Sequence, residues 1–165
     1  MKKIFKSQKG FTIIELIIYL GIFPIVLLTL TQVFGLVLDT LSESQAKSSI
    51  LQDSEYVVSR LSYDIRRADQ VLLPANLGEE GASLQISMDG ENYLYSLNDS
   101  NLQLTNDSGS ELLNGYDTIV SDLKFTRLGN QEGKDTISLS FTITSKTLYR
   151  GRPEAKTFQT TFGLR

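Results

Sequence analysis

One carboxylate inside a long uncharged run is the residue with the most to explain. From Phe11 to Leu38 the 165-residue sequence carries no charged side chain except Glu15. That run is longer than the about 20 apolar residues that cross a bilayer. A charge at the bilayer centre costs on the order of 3 kcal/mol and usually marks function. Glu15 lies five residues after Gly10, in the first turn of the predicted helix, where the helix dipole favours a negative charge. Its natural chemistry there is ion pairing. Pairing with a cation would remove two costly charges from lipid at once.

Most other chemistry is excluded by composition. The chain has no cysteine and no histidine, which removes disulfides, thiolate chemistry, Cys/His zinc sites and a Ser-His-Asp triad. Asp89-Gly90-Glu91, Asn98-Asp99-Ser100-Asn101 and Asn106-Asp107-Ser108-Gly109 offer oxygen ligands for calcium, but none has EF-hand spacing. The same residue types build tight turns. The acids fall in turns rather than in pairs on one face, so no catalytic residue, metal or cofactor is expected. The formal net charge is -3, with Lys2, Lys3, Lys6 and Lys9 and no acid in the first ten residues. The acidic remainder argues against nucleic-acid binding. A basic start before an apolar run predicts the N-terminus in the cytoplasm and the C-terminus outside.

A secretory signal would explain the lysines but not the length, since a signal core runs about 7–15 residues and ends at a small-residue cleavage site. A plain membrane anchor explains the length but neither Gly10 nor Glu15. The stretch Lys9-Gly10-Phe11-Thr12-Ile13-Ile14-Glu15-Leu16 resembles the leader of type IV pilins and type II secretion pseudopilins. The resemblance implies that a prepilin peptidase, which is also the N-methylase, cuts after Gly10. Phe11 would become the methylated first residue of the mature chain. Glu15 would take the place of the family's assembly acid, pairing with the terminal amine of an adjacent subunit. The implied partners are that peptidase, other pilin or pseudopilin subunits, an inner-membrane assembly platform and membrane lipid.

The positioning elements follow from periodicity. Residues 1–10 form a basic leader and 11–38 a transmembrane helix, with a kink expected at Pro24. Residues 39–72 are predicted to continue the helix in amphipathic form. Leu51, Val58, Leu61, Ile65, Ala68 and Leu72 would form its buried stripe, with Arg60, Asp64 and Arg67 largely off it. Glu43 and Lys47 form a favourable i,i+4 pair, and Pro74 ends the helix through Leu73. Residues 73–165 read as a β-rich extracytoplasmic head. Leu84–Met88, Tyr93–Leu97 and Leu102–Leu104 form a meander, with Tyr93 and Tyr95 at the surface. A strand over Ile119–Leu128 carries a bulge near Ser121-Asp122. Another runs over Asp135–Ser145 with Ile137, Leu139, Phe141 and Ile143 inward. Lys146–Lys156 reads as a polar connection and Thr157–Leu164 as a last strand.

The expected class is α+β, pilin-like: one long N-terminal helix packed on an antiparallel sheet of six or seven strands. The phrase Arg60-Leu61-x-x-Asp64-Ile65-Arg66-Arg67-Ala68 is similar to the J-type minor pseudopilins. The resemblance implies a structural subunit of a pilus or secretion pseudopilus, not an enzyme. The alternative is a membrane-anchored extracytoplasmic β domain that binds a partner and never polymerises.

Overall fold

The computed structural model describes residues 10–129 and 133–165. The residues from Met1 to Lys9, most of the predicted leader, lie outside that range, as does much of the Gly129–Gly133 loop. Helix α1 runs from Ile13 to Arg67, and nine strands follow. The chain divides into two units, the first ending at Thr40 and the second beginning at Leu41, inside α1.

In the first unit α1 passes through Pro24 without losing helical assignment. No side chain from Ile13 to Leu38 is buried within the chain. The segment is long and apolar enough to cross a membrane. Thr29 and Thr31 donate their hydroxyls to the carbonyls of Ile25 and Leu27 at 2.5 and 2.9 Å. These two hydroxyls are therefore satisfied without water, as a bilayer demands.

The second unit is the α+β head. Its strands are β1 (Gln70–Leu73), β2 (Glu80–Gly81), β3 (Leu84–Met88), β4 (Glu91–Asn98), β5 (Asn101–Asn106), β6 (Gly109–Leu112), β7 (Thr118–Leu128), β8 (Thr136–Tyr149) and β9 (Arg152–Gly163). They form two antiparallel sheets rather than one, in the orders β1-β3-β4-β5-β6 and β2-β7-β8-β9. The meander is β3–β5. Its two turns place Asp89-Gly90 and Asp99-Ser100 at positive φ, so these acids serve the left-handed geometry of two-residue hairpins. The bulge in β7 lies between Ser121 and Lys124, with Asp122 at φ 52°.

The core joins the head part of α1 to both sheets. Leu61, Ile65, Ile86, Tyr95, Phe125 and Phe141 are all fully buried. Each large apolar side chain withdrawn from water contributes about 1.5–3 kcal/mol.

Four expectations need correction. The helix stops at Arg67, not Leu72, because the Asp69 amide donates to Ser87 O at 2.8 Å and Gln70–Leu73 pairs with β3. The buried stripe is Ala46, Ile50, Ser54, Val57, Leu61, Asp64, Ile65 and Ala68. Leu51 is exposed and Val58 only partly covered, so the stripe is offset by one residue at two steps, and Asp64 lies on it. Tyr95 is buried, not at the surface. Lys146–Lys156 is not a connection. Strands β8 and β9 extend through it and meet at Arg150-Gly151, both at positive φ.

Candidate functional site

The first candidate site is the start of α1. Gly10 is exposed, and a methyl group built at its Cα would meet nothing within 4 Å. No described residue therefore sets a steric requirement for glycine there. Phe11 is 78% exposed, and its ring meets Tyr19 edge-on at 6.2 Å. Thr12 and Glu15 form a reciprocal cap. The Glu15 amide donates to Thr12 Oγ1 at 3.3 Å, and the Thr12 amide donates to Glu15 Oε2 at 3.2 Å. The Thr12 hydroxyl adds a third bond to the same carboxylate oxygen at 3.3 Å. This is the Ser/Thr-x-x-Glu capping box, which satisfies two orphan amides of a helix start. The sequence reading placed Glu15 in the first turn but missed its partner. The Thr12-x-x-Glu15 spacing ahead of an apolar run was the available signal. Among the described residues Glu15 has no cationic partner; each of its hydrogen bonds is to Thr12.

The second cluster holds α1 to the head. Asp64 is almost wholly buried, and its Oδ2 accepts from Arg60 Nε at 2.7 Å and from the Tyr95 hydroxyl of β4. These bonds explain much of the phrase from Arg60 to Ala68. Leu61, Ile65 and Ala68 are core, Asp64 is the buried acceptor, and Arg67 reaches Tyr63 Oη at 2.6 Å and Asp89 at 3.4 Å. Hydrogen bonding to the carboxylate holds the Arg60 guanidinium above its ordinary range. Burial, then the bond to Asp64, pushes the Tyr95 hydroxyl up.

Asp53, eleven residues earlier on α1, repeats the device against the other sheet. It accepts from the Gly115 amide at 2.9 Å and from the Thr118 hydroxyl. A side chain at Gly115 would press on both Asp53 oxygens at 3.3 Å. Farther along the head, Arg127 grips Asp135 in two-pronged fashion at 3.0 and 2.8 Å and donates to Ala75 O at 2.7 Å, fastening the loop after β1. Among the described residues no three acidic, His or Cys side chains gather as a metal site. No family model, no curated protein and no solved structure matches this chain.

The structure thus separates two roles. Gly10, Phe11, Thr12 and Glu15 stand together at an exposed helix start, whereas Asp53 and Asp64 hold the head together. Pro24 lies within α1, nine residues after Glu15. A pH dependence follows from Tyr95. Its folded pKa lies above the unfolded value near 10, so its contribution is complete below that pH and is lost as the pH rises beyond it. Each proton so released costs up to about 1.4 kcal/mol per pH unit. Tyr56 and Tyr93 shift in the same direction. Denaturant midpoints measured across alkaline pH should therefore fall less steeply in Tyr95→Phe than in the parent. An unchanged slope would sink the assignment.

Proposed function

We propose that the chain is a minor pilin or pseudopilin. In this reading it is a structural subunit made as a precursor, cut after Gly10, methylated at Phe11 and held by its helix in the cytoplasmic membrane. The N-terminus lies inside and the head outside until the subunit enters a pilus or pseudopilus. The observation that carries the reading is the exposed helix start. A glycine that meets no described neighbour precedes an apolar helix whose one acid has no cationic partner among the described residues. A requirement absent from the fold points to an outside reader of Gly10, and an acid kept in lipid points to a cation from another subunit. The peptidase, methylase and assembly platform are partners, and the subunit performs no catalysis itself.

The test is the mass of the protein extracted from membranes of cells that carry such a peptidase. The expected first residue is Phe11, heavier by one methyl group. Gly10→Leu should leave the precursor uncut. A mature chain beginning at Met1, or efficient cutting of the leucine variant, would favour the anchored, non-polymerising β module instead.

A further inference from the structure

Charge is divided between the two sheets of the head. Between Arg67 and Lys124 the sequence has ten acidic residues and no lysine or arginine. From Lys124 to Arg165 it has eight basic residues against three acidic ones. The first interval supplies every strand of the first sheet, together with β2 and the first half of β7, and the second supplies the rest of β7, β8 and β9. The basic excess is densest at the tip of the β8–β9 hairpin, where Lys146, Arg150, Arg152 and Lys156 stand against Glu154 alone. The acidic counterpart includes Asp107 and Glu111, in and beside β6.

Both regions end in a free strand. Strand β6 closes one end of the first sheet and β9 one end of the second, so each leaves a row of backbone groups unpaired within the described residues. All four residues of β6 are exposed, as is most of β9. Such edges template pairing with another chain. The two edges also lie on different flanks of α1. Tyr56 donates its hydroxyl to Glu111 of β6, at 3.2 Å. Lys47, Ile50 and Leu51 line a groove with Glu154, Ala155 and Lys156 of β9. At about 100° per residue, Tyr56 points at least about 120° away from each of those three helix positions.

We infer that the acidic β6 edge of one copy docks on the basic β9 edge of a second copy of this chain. The contact is heterologous, with different surfaces from each copy, so it propagates rather than closing as a symmetric dimer. Copies anchored in one membrane present their heads on the same side of it, so one flank of a head can meet the opposite flank of the next. The inference rests on the membrane anchoring proposed above. Opposite charge steers this encounter, and like charge opposes β6–β6 or β9–β9 pairing.

Cysteine cross-linking tests it cleanly, because the chain has no cysteine of its own. Ser110→Cys and Ala155→Cys would be placed in the full chain, reconstituted in phospholipid vesicles and treated with a mild oxidant. The double variant should give a ladder of dimers, trimers and higher species, and the two single variants mixed together should give a dimer. Each single variant alone should stay monomeric. Arg152→Glu with Lys156→Glu should lower the yield about tenfold, and Asp107→Lys with Glu111→Lys on the opposing copy should restore it. Dimers from either single variant alone, no ladder, or a yield indifferent to charge reversal would overturn the inference. N-terminal mass on the same preparation reads the processing proposal separately, so either can fail without the other.

Discussion

Replacing Asp64 with alanine is expected to destabilise the head by about 3 kcal/mol, a large share of the about 5–15 kcal/mol that holds a domain folded. The carboxylate is nearly inaccessible, and both its partners depend on it. Removing it strands the Tyr95 hydroxyl among apolar side chains, at a cost of about 1–3 kcal/mol. Arg60 is a third exposed and recovers part of its loss by turning to solvent. Asp64→Asn keeps an acceptor for Tyr95 and should cost about half as much. Asp64→Leu combined with Tyr95→Phe removes donor and acceptor together and should be milder than Asp64→Ala alone. Urea unfolding of the full chain in detergent, followed by near-ultraviolet tyrosine dichroism, measures all three. If alanine cost less than about 1 kcal/mol, the buried carboxylate would not be what fastens α1 to β4.

The second large effect concerns Glu15 and separates its two candidate roles. Glutamine can accept the Thr12 amide as glutamate does but carries no charge, whereas alanine loses both cap and charge. If intermolecular ion pairing governs assembly, both variants are cut after Gly10 and both fall at least about tenfold in filament incorporation. If the cap alone matters, glutamine behaves as the parent and only alanine fails. The expected result is the first. Thr12→Val completes the set. It keeps the charge and gives up the side-chain half of the cap, worth about 1 kcal/mol, so its filaments should form. Subunit recovery in sheared filament fractions, normalised to mature protein in membranes, reads all three. Normal incorporation of the glutamine variant would remove the charge-pairing argument.

The long apolar helix and the inward faces of β3 and β8 were legible because composition and strict alternation encode them. Leu84, Ile86 and Met88 alternate with polar residues, as do Ile137, Leu139, Phe141 and Ile143. The helix stripe was less legible for a definite reason. Ile50-Leu51 and Val57-Val58 are adjacent apolar pairs, and a 3.6-residue period admits either member until a sheet decides which is covered. Asp64 and Tyr95 were misplaced together. Each is polar when read alone, and only the pairing of a helix residue with a strand residue 31 positions later makes their burial affordable. The helix end moved because the Asp69–Leu73 backbone found a β partner, a long-range choice that outweighs local propensity. Likewise, the β8–β9 tip buries little, so the hydrophobic pattern did not announce that pairing continues to Tyr149 and Arg152. The Thr12–Glu15 cap, by contrast, was local and readable.

That cap has a consequence for the precursor. Among the described residues, the hydrogen bonds that start α1 are made by Thr12 and residues after it: the Thr12–Glu15 exchange and the Leu16 amide donating to Thr12 O at 3.2 Å. None of these atoms belongs to the ten residues that cleavage would discard. Cutting after Gly10 would therefore leave these bonds in place. Cutting there would change the electrostatics: four lysines would leave, and an amine would appear one residue before the cap and four before Glu15. On the proposed reading, maturation is a change of label on a helix start whose described bonds it leaves intact.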